Sequence, residues 1–241
     1  MTQVNRTLEG RRVLVVGGAS GIGFAVAERA SELGATVIIA SRNEAKVTAA
    51  AARLARATGH ALDLRDETRI GAFFRDLGAF DHMAITAGDW DIPIFVPLSD
   101  IEIDAAKDAF EVRLWGALAA AKHAMKVISP NGSMVFTGGM LTYRPVKGGP
   151  LATVGGAAVE ALARGLAIEL APIRVNAVSP GLILTEHALQ TPADRIDARV
   201  SKLPISRGGT PSEAASAYIY LMQNSYITGQ VLPVDGGGLL V

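Results

Sequence analysis

The sequence of 241 residues contains no cysteine. That excludes disulfides and thiolate metal sites, and it fits a reducing compartment. It also carries no net charge, with 23 basic residues against 23 acidic ones. A neutral chain gives no electrostatic case for nucleic acid or an anionic membrane surface. Aromatic residues make up only 5% of the chain. The opening "MTQVNRTLEGRR" lacks the apolar run of a signal peptide. No apolar stretch is expected to reach the roughly 20 residues that span a bilayer. His60, His82 and His123 show no metal-ligand grouping. The expected address is the cytoplasm, without metal, nucleic acid or membrane.

Aliphatic sequence is what remains: 49% of residues are hydrophobic, mostly Ala, Val, Leu and Ile. Short apolar runs such as "RVLVVGG", "TVIIA", "FDHMAITAG", "SMVFTGG" and "RVNAVSPG" alternate with longer stretches of helical spacing. That alternation predicts an α/β fold. It implies a Rossmann-type, doubly wound parallel sheet of about seven strands with helices on both faces, in one domain over residues 1–241. Glu44 to about Thr58 reads as an Ala-rich helix, and "HALDL" as a strand ended by Asp63. Ser99 and Glu102 have capping-box spacing and are expected to open a long helix through Phe110 and Met125. Leu151 to Leu170 reads as a further helix, and 182–209 as a substrate lid.

Gly17, Gly21 and Gly23 stand between the first strand and its helix in "VVGGASGIG". A tight turn and close backbone approach to a pyrophosphate need residues without Cβ, and the helix N-terminus supplies N–H donors. Ser20 and Ile22 belong to the same candidate nucleotide turn. The second strand ends in Ser41 and Arg42 rather than an acid. A carboxylate there repels a 2′-phosphate and an arginine pairs with it, which favours NADP(H) over NAD(H). The alternative is that Arg42 is a solvated surface charge. Asp63, followed by Leu64, either accepts from an adenine amino group or caps the next helix.

These motifs resemble the short-chain dehydrogenase/reductase family along nearly the whole chain. "GGASGIG" resembles its cofactor turn, "LDLRD" its adenine-side segment, and "ITAG" (Thr86, Ala87, Gly88) its Asn-Asn-Ala-Gly turn. "IRVNAVSPGLILT", with Pro180, Gly181, Ile183 and Thr185, resembles the segment leading to the nicotinamide. The resemblance implies an oxidoreductase with a homodimeric or homotetrameric assembly. A close-packed face around Gly155, Gly156 and Val159 is expected to serve that assembly.

The family moves a hydride between nicotinamide and a carbonyl or alcohol carbon. A Tyr is its acid/base, a Lys four residues on lowers the Tyr pKa, and a Ser and an Asn assist. By register back from "IRVNAVSPG", the Tyr and Lys fall on Ala152 and Gly156; the Ser, after the fifth strand, falls on Gly139, and the Asn, three residues before Gly116, on Arg113. None can serve the usual role. Tyr143 and Lys147 repeat the spacing, but Pro145 between them disfavours a helical turn with both on one face. Arg113 is read equally as an anion site or as an ion-pair partner of Glu111 or Asp108. Candidate replacement acid/base groups are His187, Tyr143 and Asp89, with Asp91, Glu186 and Arg144 nearby in sequence. Two functions stay open: a nucleotide-binding partner or regulatory protein without turnover, and an active reductase or non-redox enzyme using recruited groups.

Overall fold

The computed structural model describes residues 7–88 and 94–241. Seven parallel strands form one sheet in the order β3-β2-β1-β4-β5-β6-β7. They are β1 Arg12–Val16, β2 Thr36–Ser41, β3 Ala57–Ala61, β4 Phe80–Ile85, β5 Ile128–Thr137, β6 Arg174–Pro180 and β7 Val231–Val234. Strand order reverses between β1 and β4, so their carboxyl ends open a crevice where ligands of such sheets bind.

The central strands are buried on both faces because helices cover both. Leu14 and Val16 of β1 point to one core with Ile70 of α3 (Glu67–Leu77), Ala121 of α5 (Ala117–Ala124) and Val159 of α6 (Pro150–Glu169). Val13 and Val15 point to the other, with Val26 of α1 (Gly21–Glu32), Val47 of α2 (Glu44–Ala51) and Tyr218 of α8 (Pro211–Gln223). The period of two along the strand assigns alternate residues to opposite layers. One polar row crosses the sheet: His82, Ser133 and Arg174 are in register on β4, β5 and β6. His82 Nδ1 and Ser133 Oγ lie 2.9 Å apart, and Arg174 donates to the Leu221 and Met222 carbonyls near the end of α8.

Several sequence expectations are corrected. The helix after β2 stops at Ala51, and β3 begins at Ala57, earlier than "HALDL" suggests. A Cβ on Gly59 would lie 2.5 Å from the Val47 carbonyl, so this strand packs closely against the middle of α2. Asp63 therefore lies beyond β3, and Asp66 caps α3 by accepting from Arg69 N at 3.0 Å. Ser99 opens no capping box; its hydroxyl donates to Asp100 instead, and α4 (Ile103–Phe110) starts after Glu102. Residues Glu111–Gly116 form a π-helical turn that joins α4 to α5. The expected absence of any span-length apolar stretch also fails: α6 is long and apolar enough by composition. Its apolar residues have an intramolecular role, since Val159, Ala163 and Ala167 are buried in the core.

The Thr210 capping box is present in full, with Pro211 at the first helical position. Just before it, the excursion 182–209 closes on itself. Leu184 N donates to Gly209 O at 2.8 Å and Gly209 N to Leu182 O at 2.9 Å. Within the excursion lie a short 3₁₀ turn, Ala188–Gln190, and α7, Ala193–Val200.

Candidate functional site

The turn after β1 is built from backbone in close approach. Gly17 adopts φ +90°, and a Cβ there would lie 2.5 Å from Ala87 N. A Cβ on Gly23 would strike the Gly17 carbonyl and Thr86 Oγ1. Thr86 N in turn donates to Val16 O at 2.8 Å. The "ASGIG" and "TAG" segments thus form one cradle at the β1–β4 switch point. Gly21, with φ +54°, opens α1, and its N–H donates to a carboxylate oxygen of Glu186 at 3.1 Å. Ser20 supplies no side-chain cap, so that helix end depends on an outside anion.

Ser41 ends β2, and Arg42, which is exposed, follows it. Asp63 accepts from Arg65 N at 3.0 Å in the loop after β3. The backbone at Leu64 is met by the long helix: a Cβ on Gly116 would lie 2.6 Å from the Leu64 carbonyl. On the far side, Gly181 N donates to Val234 O at 2.9 Å, and Ile183 is buried in a bridge to Gly209. Thr185 lies against Gly21, its methyl 3.2 Å from where a Cβ would stand. The structure therefore brings Gly17, Gly21, Gly23, Ala87 and Thr185 together at one end of the sheet. It leaves Arg42 and Asp63 at the rim on the β2–β3 side.

The other half of the crevice is nearly filled. Ala152, Leu151 and Gly155 of α6 face Ile94, Ala109, Phe110 and Arg113 around a cavity of only about 10 Å³. Arg113 sits in the π-helical turn, a distortion frequent at functional sites. Burial pulls its guanidinium below the ordinary arginine pKa, and the nearby Tyr218 acts weakly the other way. At Gly156 there is no room at all: a Cβ would lie 2.5 Å from Thr142 Oγ1 and 3.2 Å from Gly139 O. Gly139 is the opposite case, with nothing within 4 Å of its Cβ position. A more open groove of about 610 Å³ lies near Arg12, Asp81 and Lys126 at the amino ends of the strands. That groove lies at the opposite end of the sheet from the glycine cradle, away from the strand carboxyl ends where ligands of such sheets bind.

Tyr143 is not paired with Lys147, which is exposed. Its hydroxyl donates to Glu160 Oε2 at 2.6 Å. Burial and the Glu160 carboxylate raise the Tyr143 pKa, with Arg164 opposing weakly. A phenol moved in that direction is a poorer acid near neutrality. Glu160 is buried within α6, and its second oxygen has no protein partner, nor has Thr142 Oγ1. Sequence reasoning missed this carboxylate. Its signal was an acid at the inward position four residues after Gly156 in an Ala-rich helix. His187 is exposed at the start of the 3₁₀ turn next to Thr185. Asp89 and Asp91 lie outside the described residues.

Residues 17–238 match the family model described as enoyl-(acyl carrier protein) reductase. The chain is also 37% identical, over 99% of both lengths, to the short-chain dehydrogenase/reductase ucsE of an Acremonium species. It belongs to the short-chain dehydrogenase/reductase family. Another member, malC of Malbranchea aurantiaca, is 33% identical over 97% of this chain and 96% of its own. The solved structure titled MalC reductase/Diels-Alderase superposes with a TM-score of 0.91 at 31% identity, covering 99% and 100% of the two chains. A small-chain dehydrogenase solved in complex with NADPH superposes at 0.82 with 37% identity, covering 96% and 99%.

The family binds a nicotinamide dinucleotide, and the cradle fits that group. Its glycines leave no space for Cβ atoms, and the Gly21 amide already binds an anion, the Glu186 carboxylate. Gly17, Gly21 and Gly23 would hold the pyrophosphate of the dinucleotide, with Thr185 over them.

Proposed function

We propose that this short-chain dehydrogenase/reductase binds NADP(H) and acts without the family's Tyr–Lys proton relay. One observation carries the reading. Where register places the Lys, the α6 backbone at Gly156 is packed against Thr142 and Gly139, and where it places the Tyr, Ala152 lines a nearly filled space beside Phe110 and Arg113. Bound NADPH supplies a hydride. The chain's own residues bind and orient: the glycine cradle takes the pyrophosphate, Arg42 faces the side where a 2′-phosphate extends, and Ala152 and Phe110 exclude water from the acceptor.

Hydride addition to a neutral ketone leaves an alkoxide that needs a proton, and a positioned acid is worth about 10² to 10⁴ in rate. Addition to an acceptor that already carries its positive charge gives a neutral product and needs none. The substrate class that fits is therefore a cationic acceptor, such as an N-alkylated C=N group. The hydride would form the new C–H bond while the C=N π-electrons move onto nitrogen, discharging the cation with no proton taken from the protein. A second reading is a non-redox cyclisation in the same crevice, favoured by the likeness to the MalC reductase/Diels-Alderase. Partner function without turnover is the remaining outcome.

NADPH fluorescence titration, followed by absorbance at the reduced-nicotinamide band, tests this. Binding, with oxidation by an N-alkylated cyclic C=N acceptor and none by cyclohexanone, is expected. Fast ketone reduction refutes the loss of the relay. The chain also pairs through α6 and the α4–α5 helix. The exposed apolar residues of these helices are Val154, Ile168 and Trp115. Gly155, Gly156 and Val159, expected on this face, point inward instead toward Phe110, Thr142 and the core.

A further inference from the structure

The bond between Glu186 and Gly21 joins two places 165 residues apart in the chain. Glu186 is exposed, so its position is not a by-product of core packing. The α1 N-terminus has no acid in its first turn and no side-chain cap from Ser20. Its first amide is satisfied by this carboxylate from the excursion 182–209. The neighbouring Thr185 is itself fixed: its hydroxyl accepts from Ala188 N at 3.2 Å, and its methyl rests against Gly21. Thr185 and Glu186 together seat the excursion on the nucleotide turn.

A pyrophosphate seeks the same donor for the same reason, because a helix N-terminus offers N–H groups and partial positive charge. One N–H cannot serve both anions, and two anions at that distance repel. We propose that Glu186 is a carboxylate latch. Without dinucleotide it holds the excursion on the cradle, and it competes with the pyrophosphate for the Gly21 amide. Cofactor affinity and release of the excursion are then set by one side chain. This rests on the nucleotide-binding reading above, and it adds a specific internal competitor to it.

The test compares wild type with Glu186→Gln, which keeps the shape and removes the charge. An exposed charge at a helix end changes an equilibrium by about two- to fivefold. NADPH is expected to bind Glu186→Gln tighter by that factor in a fluorescence titration. Adenosine 2′-monophosphate, which ends before the pyrophosphate, is expected to bind both proteins equally by calorimetry. Without any ligand, hydrogen exchange over 182–209 is expected to rise in the variant. Equal NADPH affinity in the two proteins, or unchanged exchange in the ligand-free variant, overturns the latch. An equal gain for the monophosphate also overturns it. If wild type binds no dinucleotide, the nucleotide reading falls and the competition falls with it, whereas the exchange experiment still reports on the bond itself.

Discussion

Gly156→Ala is the smallest step back toward the family's Lys, and its cost follows from the structure. In an open helix interior this change stabilises by about 1 kcal/mol through propensity. Here the added methyl lies 2.5 Å from Thr142 Oγ1 and 3.2–3.3 Å from the Gly139 backbone. Overpacking of this kind costs about 1–3 kcal/mol. The net is a loss of up to about 2 kcal/mol, or a fall in Tm of up to about 8 °C for a chain of this length. Thr142→Ala removes the offending hydroxyl, which is buried without a partner, and by itself is close to neutral. The double variant is expected to recover at least about 1 kcal/mol, a coupling that a double-mutant cycle by thermal unfolding resolves. If Gly156→Ala instead raises Tm, or the two changes simply add, the position is open and the case for a closed site fails. Restoring Gly139→Ser, Ala152→Tyr and Gly156→Lys together is then the functional form of the same test, and it is expected to give no ketone reduction.

Four further outcomes are expected. Burial, assisted by Arg174, pushes the His82 imidazole down to about 4 from 6.5. The folded state thus favours the neutral ring, and stability present above pH 6.5 is lost as pH falls toward 4, by about 3 kcal/mol at 1.36 kcal/mol per unit. Urea unfolding of a His82→Leu/Ser133→Ala variant should lack that part of the acid slope; an unchanged slope refutes the assignment. Gly23→Ala should abolish NADPH binding by fluorescence, since its methyl enters the Gly17 carbonyl; retained binding sinks the cradle. Arg42→Ala should weaken NADPH by about tenfold and leave NADH unchanged, so equal losses would argue against 2′-phosphate recognition. Ile168→Asp should shift the chain toward monomer in light scattering at micromolar concentration, and a monomeric wild type refutes pairing through α6.

Much of the fold was legible because it rests on runs with one reading. "RVLVVGG" is buried on both faces, and the glycine spacing after it suits only a tight strand-to-helix turn. The C-terminal capping box was equally plain, since Thr210, Pro211 and Glu213 act within one turn. What escaped detection depends on tertiary approach. "ATGHA" has no strand-like alternation, and β3 forms because β2 offers it an edge. The π-helical turn at Arg113 leaves no periodic trace in so short a span. The bonds from Tyr143 to Glu160 and from Glu186 to Gly21 join residues 17 and 165 apart, which no local pattern reports. The substitutions at Ala152 and Gly156 could be read from register, but only the packing shows that Thr142 fills the space.

The neck of the 182–209 excursion has a consequence for how such proteins diversify. Leu182 and Gly209 are bonded to each other, so the chain leaves the sheet and returns at nearly the same point. Closure cost grows only slowly with loop length. A replacement of different length and chemistry can therefore be spliced in at these two residues with β6 and α8 undisturbed. Transplanting the corresponding piece of a relative is expected to leave the seven-stranded sheet folded, making this excursion an exchangeable cassette on an unchanged chassis.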